Sequence, residues 1–269
     1  MQIVISILAI LMYLICTWQI GQRARIRLKG GQVACGRQIA LFWIVALILH
    51  GGALYLDIVT PTGLNLGVAQ ALSMVGWLLA LIVLISLHNR PVEGLGLILL
   101  PFAALTIAIE LIFPDTRLIL HPENQILAVH VFISLIASSL FVIAALEAVL
   151  LWYQDRRLRT HRPGGWLSVL PPLQHTESIL FQTLTLGFLL LTAALATGLL
   201  FITRFLSMES PQRTVLFIAS WVVFGLLLLG RWRLGWRGRV AIRWTLSGFG
   251  ILIVAYLSTL IFNALTISG

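Results

Sequence analysis

Residues 126–159 read ILAVHVFISLIASSLFVIAALEAVLLWYQDRRLR. Between Ile126 and Trp152 only His130 and Glu147 are ionisable, and the stretch closes on Arg156, Arg157 and Arg159. About 20 consecutive apolar residues suffice for a helix to cross the hydrocarbon of a bilayer. The stretch therefore predicts a transmembrane helix, and arginines gathered at one end mark that end as cytoplasmic.

Working outward, similar apolar runs occur at about 1–20, 38–56, 66–87, 93–112, 179–203, 213–230 and 241–264. Hydrophobic residues make up 59% of the 269 and charged residues 10%, and mean hydropathy is +1.02, so lipid is the dominant solvent. The chain reads as an all-α polytopic membrane protein of about eight transmembrane helices. Residues 1–269 form a single helical membrane domain without internal repeats.

The formal charge of +9 would suit nucleic acid, but the basic residues lie between apolar runs and act as topology signals. Arg23, Arg25, Arg27, Lys29 and Arg37 fill the first connection; Arg90 the third; Arg156, Arg157, Arg159 and Arg162 the fifth; Arg231, Arg233, Arg237, Arg239 and Arg243 the seventh. The even connections hold only Arg117, Arg204 and Arg213. This bias predicts cytoplasmic odd connections and both termini outside. The first run lacks a basic leader and an A-x-A site, so it is expected to remain a helix. Trp18, Trp43, Trp152, Tyr153, Trp166, Trp232, Trp236 and Trp244 fall near the expected inner boundaries, where amphipathic rings anchor spans.

An ionisable group inside a span is costly and starts as a functional candidate. His50 falls in the outer half of the second run, Glu110 near the outer end of the fourth, and His130 about one turn into the fifth. Each histidine is either a metal ligand or an interhelical hydrogen-bonding group. Glu147 lies near the inner end of its run, within reach of the interface, Arg156 or Arg157. His121 sits in an outer connection as a solvated residue, a cap or a second ligand. His88, His161 and His175 lie on the cytoplasmic side. Arg117, Arg204 and Arg213 are suited to binding carboxylates, either of a ligand or of Asp115, Glu123 and Glu209 in the same connections. Cys16 and Cys35 have neither disulfide nor metal spacing. No hydrolase, zinc or phosphate-binding motif occurs, and the chain reads as not an enzyme in its own right.

The second half carries more distinctive stretches: Leu127-Ala-Val-His130-Val-Phe-Ile-Ser134, Leu170-Pro-Pro-Leu-Gln-His-Thr-Glu177, Gly198-Leu-Leu-Phe-Ile, Trp221, and Gly235-Trp-Arg-Gly-Arg239. In this order they resemble the cytochrome c assembly protein family, membrane haem handlers typified by CcsA and CcmC, and most of all its short YpjD-type inner membrane branch. The resembling core covers about 40–262, behind divergent N-terminal helices within 1–112.

The resemblance implies a multi-pass bacterial inner membrane protein that binds haem near the outer face. His130 falls at the first outer histidine position of the family, His50 or His121 would supply a further ligand, and Arg117, Arg204 and Arg213 would meet the propionates. Implied partners are lipid, haem, and an apocytochrome or other assembly proteins. The chain departs from the family pattern in three places. Its segment Arg204-Phe-Leu-Ser-Met-Glu-Ser-Pro-Gln-Arg213 has no tryptophan, the eighth run reads Ala255-Tyr-Leu-Ser-Thr-Leu-Ile-Phe with no histidine, and Gly230-Arg-Trp-Arg233 replaces a further one. A membrane scaffold that has lost haem ligation is therefore the alternative, with a proton-coupled transporter using Glu110 and Glu147 behind it.

Overall fold

A computed structural model describes residues 2–29, 37–60, 63–65, 67–87, 93–113, 118–120, 125–159, 173–199 and 211–267. In hydrocarbon a backbone must satisfy its own hydrogen bonds, and the apolar runs do so as helices. Among the described residues these are α1 (Gln2–Leu28), α2 (Arg37–Ile58), α3 (Val68–Leu87), α4 (Glu93–Ile112), α5 (Gln125–Arg159), α6 (Leu173–Thr197), α7 (Pro211–Leu234) and α8 (Arg239–Ile267). All eight are long and apolar enough to cross a membrane.

Several helices outrun their apolar cores. α1 continues through Arg23, Arg25 and Arg27, and α5 through Arg159, because cations in a last turn complement the helix dipole. α6 begins and ends earlier than its apolar run. Residues 160–172, with Trp166 and the Pro-Gly-Gly and Pro-Pro stretches, lie outside the described residues.

The chain clusters into two compact units, one built on α1–α4 and one on α5 from Val129 together with α6–α8. In the first unit α1 packs on α2 and α4, and α3 on α4 and α2, closing a ring of four helices. Tyr13, Trp43, Leu79, Leu99, Leu100 and Ile107 fill it. Trp43 is fully buried and is no interfacial anchor: its ring lies over Gly96, where a Cβ would stand 3.1 Å from the indole. Trp18, Trp152 and Trp232 are exposed, as anchors should be.

Three short strands, absent from the sequence-based expectation, also belong to this unit: β1 (Val59–Thr60), β2 (Gly63–Asn65) and β3 (Leu118–Leu120). They pair antiparallel in the order β1-β2-β3, with Val59 opposite Leu64 and Leu64 opposite Leu120. Strands of two or three residues are too short to show a periodic signal. Their pairing satisfies backbone groups where the chain leaves α2 and α4.

In the second unit α7 packs on α6 and α8. Phe141 of α5 stacks on Phe224 of α7 with centroids 4.1 Å apart, and Gly187 of α6 lets Phe141 approach. Gly235 and Gly238 adopt φ of 65° and 54°, turning the chain from α7 into α8. Trp236 N–H donates to the Gly230 carbonyl at 3.2 Å, and its indole covers Gly230, where any Cβ would collide. Arg231 Nη1 donates to Glu177 Oε1 at 3.1 Å and to the Trp236 carbonyl at 3.2 Å, with the guanidinium 4.5 Å over Phe181. Arg231 thus ties Glu177, the last residue of the Leu-Pro-Pro-Leu-Gln-His-Thr-Glu stretch, to the backbone of Trp236 in the Gly-Trp-Arg-Gly-Arg stretch. Their distinctiveness is that of a packed corner.

Candidate functional site

His130 stands in the second turn of α5, half-buried, beside the end of α6. Its Nδ1 lies 3.0 Å from Thr197 Oγ1. The Thr197 oxygen also lies 2.9 and 3.0 Å from the Ala193 and Ala194 carbonyls. Its one hydrogen goes either to a helix carbonyl, with His130 Nδ1–H then donating to the hydroxyl, or to Nδ1 of the other tautomer. In the first arrangement neutral His130 carries its lone pair on Nε2, one of the two ring nitrogens a metal can use. Gly198 follows Thr197, and a Cβ there would come within 3.3 Å of His130 Cε1. The absence of a side chain at 198 makes room for the imidazole.

Below His130 the same face of α5 carries Ser134 and Ser138, each donating to the carbonyl four residues earlier, at 2.8 and 2.7 Å. Ser138 also hydrogen-bonds Tyr256 of α8, whose ring meets Phe217 edge-on. On α7, Trp221 stacks on Phe188 and donates to Thr192 Oγ1 at 2.9 Å. The second unit thus has an aromatic pair inside its helices.

His50 is placed differently. It is completely buried in the first unit, with Nδ1 3.2 Å from Tyr13 Oη and Nε2 3.0 Å from Ser73 Oγ. Both ring nitrogens are engaged, one from α1 and one from α3. Glu110 is also buried, and Gln70 Nε2 donates to Asp57 Oδ2 at 2.8 Å.

Glu147 is buried at 3% exposure in the body of α5. Arg156 and Arg157 lie over Trp152 and Tyr153 of their own helix. His175 is exposed. Arg117, His121 and Arg204 lie outside the described residues, as do His88 and His161; Arg213 lies in the first turn of α7, its side chain outside the description. Among the described residues no group of three or more His, Cys, Asp or Glu could hold a bare metal ion.

Sequence reading had not singled out Tyr13, Asp57, Gln70, Ser73 or Thr197. Asp57 sits one residue past the second apolar run as first drawn, and this was the one available signal. The others are ordinary polar residues whose role depends on which helix faces them.

The family model described as Cytochrome C assembly protein matches residues 39–266. Inner membrane protein YpjD of Escherichia coli K12 is 30% identical over 229 residues, covering 82% of this chain and 85% of that protein. An uncharacterized 28.8 kDa protein of Azospirillum brasilense is 34% identical over 129 residues, covering 47% of this chain and 48% of its own length. No solved structure matches the chain. With eight membrane-spanning helices, the family's pattern across most of its length and an inner membrane relative, this multi-pass inner membrane chain belongs to the cytochrome c assembly protein family.

Proposed function

We propose that the chain handles haem during cytochrome c assembly, with His130 as an axial ligand at the outer end of the second unit. Family membership supports a role in cytochrome c biogenesis. The observation that carries the finer reading is the Thr197 contact, which orients the imidazole; with Nδ1–H donating to Thr197, Nε2 would be the ligating nitrogen. Haem, when bound, would supply an iron that a neutral imidazole such as that of His130 can ligate. The residues present fit that role, and Gly198 leaves the ring its space.

The outer placement rests on the arginine bias, which puts the start of α5 outside and the odd connections in the cytoplasm. On this reading Arg117, Arg204 and Arg213 are the outer cations available to haem propionates, and His121 the further outer histidine. An apocytochrome or another assembly protein would receive the cargo at that face.

The test is an absorption spectrum of detergent-purified protein titrated with haem. A Soret band that weakens in His130→Ala supports the proposal; a protein that stays colourless on titration overturns it. A second reading, a scaffold without haem, is favoured by Arg204–Arg213 lacking tryptophan and by Tyr256 standing in a helix without histidine. It requires His130→Ala to leave cytochrome c maturation intact in cells.

A further inference from the structure

Ser178, Gln182, Thr185, Leu186 and Leu189 fall on one stripe of α6, and all are exposed. Together with buried Phe181 and with Arg231 of α7 they line an open groove of about 440 Å³ within the second unit. The groove is graded along its length. Arg231 meets α6 at Glu177 and Phe181, so its guanidinium stands at the Ser178 end, while Leu186 and Leu189 lie two to three turns further along. At a rise of ~1.5 Å per residue the stripe from Ser178 to Leu189 runs about 16 Å, half of a hydrocarbon layer roughly 30 Å thick. It therefore has the reach of one leaflet, polar near the helix ends and apolar toward the middle.

A guanidinium carries five N–H donors. Nη1 of Arg231 directs its two to Glu177 Oε1 and the Trp236 carbonyl, which leaves those on Nη2 and Nε. The Arg231 side chain is 30% exposed and that of Glu177 10%, so the pair turns its positive edge to the groove. The charge around this mouth has one sign: Arg233, Arg237, Arg239 and Arg243 of the α7–α8 corner are all exposed, and no Asp or Glu follows Glu209. An anion complements this end and hydrocarbon the other. A soluble anion would leave Leu186 and Leu189 unused, and an apolar partner helix would strand the donors of Arg231. A phospholipid meets both ends.

We propose that the α6–α7 groove binds one anionic diacyl phospholipid, its phosphate on the Nη2 and Nε donors of Arg231 and an acyl chain along Leu186 and Leu189. Glu177 and the Trp236 carbonyl hold the guanidinium in place before the lipid arrives, so little side-chain freedom is lost on binding. Ser178 and Gln182, joined at 3.4 Å, stand next along the stripe, at the level of the lipid's ester groups. Beyond them Thr185 donates its hydroxyl to the Phe181 carbonyl at 2.7 Å, and a hydrocarbon chain passes it without stripping water from an unbonded donor. Under the orientation proposed above the lipid belongs to the inner leaflet. The inference uses only α6 and the end of α7 and stands or falls independently of haem at His130.

Native mass spectrometry of the delipidated full chain in detergent tests it, by titration with phosphatidylglycerol and with phosphatidylethanolamine of the same acyl chains. The wild-type protein should retain one phosphatidylglycerol about fivefold or more tighter than phosphatidylethanolamine, the effect of one arginine at an anionic surface. Leu186→Trp replaces a side chain that is 52% exposed with one that fills the groove, and should abolish the saturable adduct. Arg231→Gln should erase the preference for phosphatidylglycerol, and Arg233→Gln, outside the groove, should keep it. Equal retention of the two lipids by the wild type, unchanged phosphatidylglycerol binding in Leu186→Trp, or a dimer that closes the groove to lipid overturns the proposal. Leu186→Trp leaves the Arg231–Glu177 pair intact and decides even where Arg231→Gln fails to fold.

Discussion

His50 and His130 have contrasting surroundings. His50 is completely buried in the first unit with a hydroxyl on each ring nitrogen, whereas His130 is half-buried near the start of a helix with a single threonine hydroxyl at Nδ1. The same imidazole is held at both nitrogens between two helices in one place and is the proposed haem ligand in the other. What differs is burial: His50 and Ser73 are fully buried, while His130 and Thr197 are only partly so.

The largest effect should come from His130→Ala, which removes the proposed ligand and should lower haem affinity ~100-fold or more, the upper end of what even an outer-sphere partner costs. Haem titration by the Soret band measures it, and an unchanged affinity would end the contrast between the two histidines. His50→Ala should act on stability instead. It leaves two buried hydroxyls without a partner and opens a cavity, at a cost of about 2–4 kcal/mol. Thermal unfolding in detergent should show this loss, with haem affinity of the folded fraction unchanged. A fall in haem affinity without a fall in stability would reverse the assignments.

Thr197→Val sharpens the comparison, since it keeps the shape and removes the hydroxyl. Loss of the hydrogen bond that holds a ligating imidazole should weaken haem about 10-fold. The smallest effect is expected from Gly198→Ala, whose new methyl crowds His130 Cε1 and costs about 1 kcal/mol. It should appear as a severalfold loss in the Soret titration.

All eight helices were legible in the sequence because a span of apolar residues is a local property that hydrocarbon enforces on any backbone passing through it. Their ends were less so. Arg25, Arg27 and Arg159 look like connections by hydropathy yet continue their helices. The same blindness hid Trp43: an indole near a span boundary is read as an anchor, and only the glycine opposite, Gly96, shows it is buried. His50, Glu110 and His130 could be singled out because ionisable groups are rare in spans. Ser73 and Thr197 could not, because Ser and Thr hydroxyls are tolerated in a helix that offers them its own carbonyls, and Tyr13 could not, because an aromatic ring is at home in an apolar run.

Two distinctive stretches taught the same lesson from the other side. Gly-Trp-Arg-Gly-Arg and Leu-Pro-Pro-Leu-Gln-His-Thr-Glu invite a chemical explanation, but the structure joins Arg231 to Glu177 and lays Trp236 over Gly230.

By itself the sequence determined the number of spans, their apolar character and the asymmetry of the arginines, since each depends on the cost of placing a local stretch in hydrocarbon or at its surface. Only the tertiary structure decided which side chains became partners, because hydrogen bonding across a bundle depends on helix rotation and register. For His130 it supplied Thr197; for His50 it supplied Tyr13 and Ser73.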